Sequence, residues 1–180
     1  IDWLRTGELD LGLIFVESAI AGIHSEPLLS ETLYLAAASD EALAPLLDAD
    51  GNVPIEAIAK VPLILPTERH GLRLLLDQHL RRFGVSTRVI IEIDAFLQIQ
   101  RLVQRGQGMT ILSLAALHES DLDPPLRTAR IVGPSIERTV YLARADNRPQ
   151  TKAARETGRL AAELLRAEAS LDWWHATPVE

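Results

Sequence analysis

From Arg88 to Leu114 the chain runs through three rhythms, reading RVIIEI, then DAFLQIQRLVQRGQG, then MTILSL. Val89, Ile90, Ile91 and Ile93 are β-branched and almost continuously apolar, which predicts a parallel strand buried on both faces. Asp94 stands where a helix N-cap belongs, its carboxylate able to accept a first-turn backbone N–H. Phe96, Ile99, Leu102 and Val103 follow at helical spacing, and Gly106 and Gly108 end the helix. Met109 to Leu114 resumes as an apolar strand. The order is a βαβ unit with short connections. In open α/β sheets small ligands bind beyond the carboxyl ends of the strands, so these loops are candidate ligand contacts.

The same patterning organises the rest of the chain. Leu72, Leu75, Leu76, Leu80 and Phe83 form an apolar helical stripe, with Arg73, Asp77, Gln78, Arg81 and Arg82 opposite and Gly84 as the stop. Val61–Leu65 is a compact strand. Leu11–Phe15 is apolar on both faces and predicts a strand inside a parallel sheet, with a neighbour on each side. It follows what reads as the last turn of a helix (Ile1, Leu4, Gly7), an opening that predicts further sequence upstream. Pro27–Ala38 is extended. Asp40 starts a short helix broken by Pro45, and Pro54 starts another over Ile55–Ala59. Arg130–Val132 and Thr139–Ala143 read as strands. A last helix runs from Thr151 to about Ala167, with Ala154, Ala161, Leu164 and Leu165 inward. Asp172–Glu180 reads as a tail, a loosely ordered end being preferred over docking of Trp173 and Trp174. A central block is framed on both sides, and two extended connections (Leu33–Ala38 and Ile131–Thr139) make a hinge and a cleft.

Composition narrows the chemistry. With 180 residues, 47% hydrophobic but only 4% aromatic, the core must be built from Leu, Ile, Val and Ala. A net charge of −7 argues against this segment gripping a phosphate backbone. The lack of cysteine excludes disulfides, thiol nucleophiles and Cys-zinc sites. No apolar run approaches the roughly 20 residues of a membrane helix, and no signal peptide is visible. His24, His70, His79, His118 and His175 are scattered without i,i+4 pairing. There is no G-x-S-x-G elbow, and Gly106-Gln107-Gly108 lacks the rest of a phosphate loop. Glu92 and Asp94 fit a surface acid and a cap better than a catalytic pair. The residues call for no catalytic group, no metal and no cofactor.

Pro66–Arg73, reading PTERHGLR, is different. It joins a buried strand to a helix and is crowded with anion-contacting groups. Thr67 offers a hydroxyl, and Arg69 or Arg73 can fork onto a carboxylate. Free N–H groups near Gly71 and Leu72 add the positive helix end. The plainer alternative is a solvated loop in which Glu68 neutralises Arg69. Position at the strand's carboxyl end favours ligand contact.

The combined pattern resembles the effector-binding domain of LysR-type transcriptional regulators. The resemblance is carried by Asp2–Leu13 (DWLRTGELDLGL), Glu26–Leu29 (EPLL), Val61–Pro66 (VPLILP) and Arg101–Leu117 (RLVQRGQGMTILSLAAL), and it covers Ile1 to about Leu171. The stretch LILPTERHGLR is most similar to the branch of nitrogen-assimilation and sulfur-source regulators. The resemblance implies a type II periplasmic-binding-protein-like α/β fold, two Rossmann-like lobes joined by two crossover strands. Lobe I would be residues 1–36 and 134–171, lacking its N-terminal part, lobe II residues 37–133, and 172–180 the tail. Carried over by position, the effector candidates are Phe15, Val16, Thr67, Glu68, Arg69, His70, Asp94 and Phe96. The implied function is allosteric: a polar or anionic metabolite in the interlobe cleft controls transcription. DNA would be held by an N-terminal winged helix-turn-helix outside this chain. The resemblance also implies a cytoplasmic homodimer or homotetramer with no membrane partner. Leu72, Leu75, Leu76 and Arg82 are interface candidates, with plain core an equal alternative for the stripe. An enzyme or a solute-binding protein on the same scaffold stays open as an alternative.

Overall fold

A computed structural model describes residues 1–15, 20–118 and 122–179. In chain order the elements are α1 (Asp2–Thr6), β1 (Gly12–Ile14), β2 (Ile23–Ala37), α2 (Asp40–Leu43) and β3 (Val53–Pro54). They continue with β4 (Pro62–Leu65), α3 (Gly71–Arg82), β5 (Arg88–Glu92), α4 (Phe96–Gln104), β6 (Thr110–Ser113) and α5 (Leu114–His118). The last are β7 (Arg127–Val132), β8 (Glu137–Ala145), α6 (Lys152–Ala169) and β9 (Ala176–Pro178). Two compact units result, Ile1–Glu31 with Arg138–Glu180, and Thr32–Glu137. The divide falls at Glu31/Thr32 and Glu137/Arg138, a few residues from the breaks expected at Ala36/Ala37 and Gly133/Pro134.

In the unit of residues 32–137, β4 is apolar throughout because both of its faces are covered. Alternate residues of a strand point to opposite faces. Leu63 and Leu65 therefore join Leu72, Leu76 and Leu80 of α3, while Ile64 packs with Ile99 and Val103 of α4. β5 runs parallel to β4, with Leu65 opposite Glu92. On the other side β4 meets Met109, just before β6, in parallel register: Ile64 N–H donates to Met109 O at 2.8 Å. β6 and β7 flank the second half of β2 in antiparallel register, and β3 lies parallel to β7. Gly108 lets the turn into β6 press against β4, since a Cβ there would meet the Pro62 carbonyl at 2.8 Å.

Two expectations for this unit need correction. β5 is not buried on both faces: Arg88, Ile90 and Glu92 are exposed and only Val89 and Ile91 turn inward. Among the described residues its one strand partner is β4, so it is an edge strand, and an edge has only one covered face. On α3, Arg73 is not on the solvent face but buried, and Phe83 is exposed.

In the other unit β1 pairs antiparallel with β8, β8 lies beside β2, and β9 pairs antiparallel with β2. Among the described residues β1 has this one strand neighbour rather than parallel neighbours on both sides, and Leu13 is exposed. α6 is capped by Thr151, whose hydroxyl accepts from Ala154 N–H at 3.0 Å. It packs through small residues: Ala154, Gly158 and Ala162 are buried, whereas Leu164, expected inward, is exposed. The spacing of four puts these small side chains on one line, close to Leu11 and Leu142 at Gly158. The C-terminal residues are not a loose tail. Trp174 is buried and β9 adds a strand, because both the indole and the backbone find partners on β2.

Candidate functional site

The parallel strands β4 and β5 end side by side, Ile93 N–H donating to Leu65 O at 3.0 Å. Two loops leave this end, Pro66–His70 toward α3 and Ile93–Ala95 toward α4. Asp94 joins them. Its carboxylate accepts from Thr67 N–H at 2.9 Å and from the Thr67 hydroxyl at 3.0 Å on both oxygens. The Thr67 backbone N–H, then its hydroxyl, hold the Asp94 carboxyl below the usual carboxylate range, with a smaller contribution from His70. Asp94 is therefore not the N-cap expected of it. α4 begins one residue later, with Ala95 as its N-cap and no side-chain cap. The bond to a loop 27 residues away replaces the local one.

His70 closes the other side. Its Nδ1 accepts from Leu72 N–H at 3.2 Å, so His70 caps α3 and uses one of the N–H groups expected to be free for a ligand. The imidazole meets the Phe96 ring edge-on, 5.3 Å between centroids at 85°. Thr67, His70, Asp94 and Phe96 are thus brought together as one polar-aromatic cluster. Glu68 and Arg69 are exposed. The Glu68 carboxylate lies 3.9 Å from the Arg73 guanidinium. Among the described residues Arg69 forms no ion pair, so the plainer alternative, in which Glu68 neutralises Arg69, is not what the structure has.

Arg73 holds the loop from below. Nε donates to Asp77 at 3.0 Å, and Nη1 donates to Glu92 at 2.6 Å and to the Pro66 carbonyl at 3.2 Å. Burial opposes its charge, but the Glu92 and Asp77 carboxylates outweigh this and raise its pKa. One residue thereby ties the start of the loop to both α3 and β5. The i,i+4 spacing of Arg73 and Asp77 was the available signal, but it reads equally as a solvent-face pair.

The remaining candidates lie elsewhere. Phe15 follows β1 in the other unit, half-buried, with the Arg138 guanidinium 4.0 Å from its ring centroid. Val16 lies outside the described residues. Of the interface candidates, Leu72 and Leu76 are buried in the core of their own unit and offer no surface to a second subunit. Leu75 is partly buried against that core and Arg82 is exposed.

Residues 1–166 match the family model described as LysR substrate binding domain. The chain belongs to this family. It is 31% identical over 151 residues to the HTH-type transcriptional regulator YfeR of Shigella flexneri, covering 84% of this chain and 47% of that protein. It is 30% identical over 158 residues to the nitrogen assimilation regulatory protein nac of Klebsiella aerogenes, covering 86% and 50%. The chain therefore spans about half the length of the curated relatives it matches. The fold is that of the Synechocystis PCC6803 CcmR regulatory domain, solved in complex with 2-PG. That likeness has a TM-score of 0.77 at 21% identity and covers 91% of this chain and 76% of that one. The LysR family and these relatives are transcriptional regulators, not enzymes. Among the described residues no helix is long and apolar enough to cross a membrane.

Proposed function

We propose that this LysR-family domain senses a small polar or anionic metabolite, and that the loops after β4 and β5 supply much of the contact. The observation that carries this reading is the cluster of Thr67, His70, Asp94 and Phe96 at the carboxyl ends of two parallel strands, the usual ligand-binding end of such a sheet. Arg69 is the cation for a ligand carboxylate or phosphate. The His70 imidazole supplies a donor through Nε2 when Nδ1 accepts from the backbone. The Phe96 ring supplies an apolar wall. Phe15 and Val16 stay candidate contacts by their positions in the sequence alone.

In this reading the protein is a cytoplasmic transcriptional regulator, working as a homodimer or homotetramer. Its DNA contacts come from a helix-turn-helix outside this chain, since the −7 charge does not suit this segment to DNA. The relatives named for nitrogen assimilation support a metabolic effector. A thermal-shift screen of the intact protein against small organic acids, sulfur metabolites and amino acids tests the reading. A ligand at 100 times its Kd adds about 2.7 kcal/mol, roughly 5–10 °C at this size. A hit that disappears with Arg69→Ala and Thr67→Val supports the site. A hit untouched by both substitutions places the ligand elsewhere, and a blank screen counts against sensing.

A further inference from the structure

We infer that the C-terminal segment Leu171–Val179, which lies beyond the residues matched by the family model, is a positioning element for Phe15 at the end of β1. Its bearing on ligand affinity rests on Phe15 being a ligand contact, as proposed above. The segment is attached to β2 twice over. β9 pairs with Leu29–Glu31, and Val179 N–H donates to Leu28 O at 3.0 Å. Trp174, 7% exposed and stacked on Trp173, donates its indole N–H to Glu31 Oε2 at 2.7 Å.

Glu31 is 2% exposed, and a buried carboxylate is stable as an anion only when its oxygens are partnered. Trp174 serves one oxygen. Arg138 serves the other, with both Nε and Nη2 at 2.6 Å from Oε1. The same guanidinium lies over the Phe15 ring at 4.0 Å, a contact strengthened by its burial. An indole at the C-terminus thus fixes a carboxylate, the carboxylate fixes a guanidinium, and the guanidinium fixes the ring. Glu31 is the last residue of its unit before the chain leaves it, and Arg138 the first on return. The contact therefore also clasps two strands at the point where they exit.

Removing the indole N–H leaves Glu31 Oε2 without that donor. The carboxylate then turns toward Arg138 or admits water, and the guanidinium no longer holds its place over the Phe15 ring. Hydrogen exchange on the intact protein reads this without any ligand. Trp174→Phe keeps a buried ring and removes the donor. It should speed exchange in the peptide containing Phe15 by about tenfold, the scale of one bond to a charged group. Peptides from α6 and from α3 should not change. In a Glu31→Gln background Trp174→Phe should add little further, because the relay is already broken. Acceleration confined to β9 and Leu28–Glu31, or fully additive effects at Phe15, overturns the inference. The reverse direction guards against a variant that fails to fold. In Phe15→Leu the Trp174 indole N–H resonance should move, and an unmoved resonance also overturns the inference. A relay that holds while every candidate ligand fails would sink the sensing reading alone. A bound ligand with no relay would sink this inference alone.

Discussion

Arg73→Met should be the most damaging single change near the candidate site that touches no ligand. It keeps most of the apolar stem and removes the guanidinium, leaving Asp77, Glu92 and the Pro66 carbonyl without that donor. Hydrogen bonds to charged groups contribute about 1.5–3 kcal/mol each. The Asp77 side chain is 17% exposed, so its bond belongs near ~2 kcal/mol, while Glu92 at 43% is screened toward the ~0.5–1 kcal/mol of surface pairs. With the Pro66 bond near the low end of that range the loss is about 4 kcal/mol, within the roughly 3–5 kcal/mol for breaking a buried pair. For a chain of this size that is a fall of roughly 8–16 °C in melting temperature. Calorimetry or urea unfolding would measure it. Much of the cost is the carboxylate stranded beside α3, so Arg73→Met with Asp77→Leu should recover about half. A single variant within ~1 kcal/mol of wild type, or a double variant no better than the single, would refute the view that Arg73 anchors the loop.

Thr67→Val should raise the Asp94 pKa toward the ordinary range, followed by NMR titration of its carboxyl. Because the folded value is depressed by Thr67, the Asp94 contribution is complete above the usual Asp range and is lost as pH falls through the folded pKa. His79 has its pKa lowered by burial and then by the Arg82 charge. The unfolded chain binds that proton more readily, so stability declines as pH falls through the usual histidine range toward the folded value. His79→Phe should flatten that slope, as read by melting temperature against pH. Leu76→Ala, at a fully buried position, should cost about 2–5 kcal/mol in urea unfolding, whereas Leu74→Ala at 55% exposure should stay within roughly 0.5 kcal/mol. An acid at Leu74 should weaken self-association in sedimentation, and unchanged sedimentation would count against α3 as an interface.

What could be read from sequence was what depends on near neighbours in the chain. The apolar run of β4, the stripe Leu72–Leu76–Leu80, the Gly84 and Gly106 stops and the loop at Pro66–His70 follow from spacings of two to four residues. Those spacings decide which side chains share a face before any tertiary contact forms. The same order of elements, with its resemblance, carried the family and the fold. Tertiary structure decided which partner each polar group found. Asp94 was free to cap α4 or to reach Thr67, and only the parallel pairing of β4 with β5 placed Thr67 within 3.0 Å. Arg73 and Asp77 would look alike on a solvated helix face; Glu92 and the Pro66 carbonyl, brought in by the sheet, turned the pair inward. Trp174 read as part of a loose end because its partner Glu31 stands 143 residues away. Local spacing selects the elements because backbone geometry repeats over a few residues. Partner choice among buried charges waits for the packed fold, since a buried charge takes whichever complementary group the fold brings near.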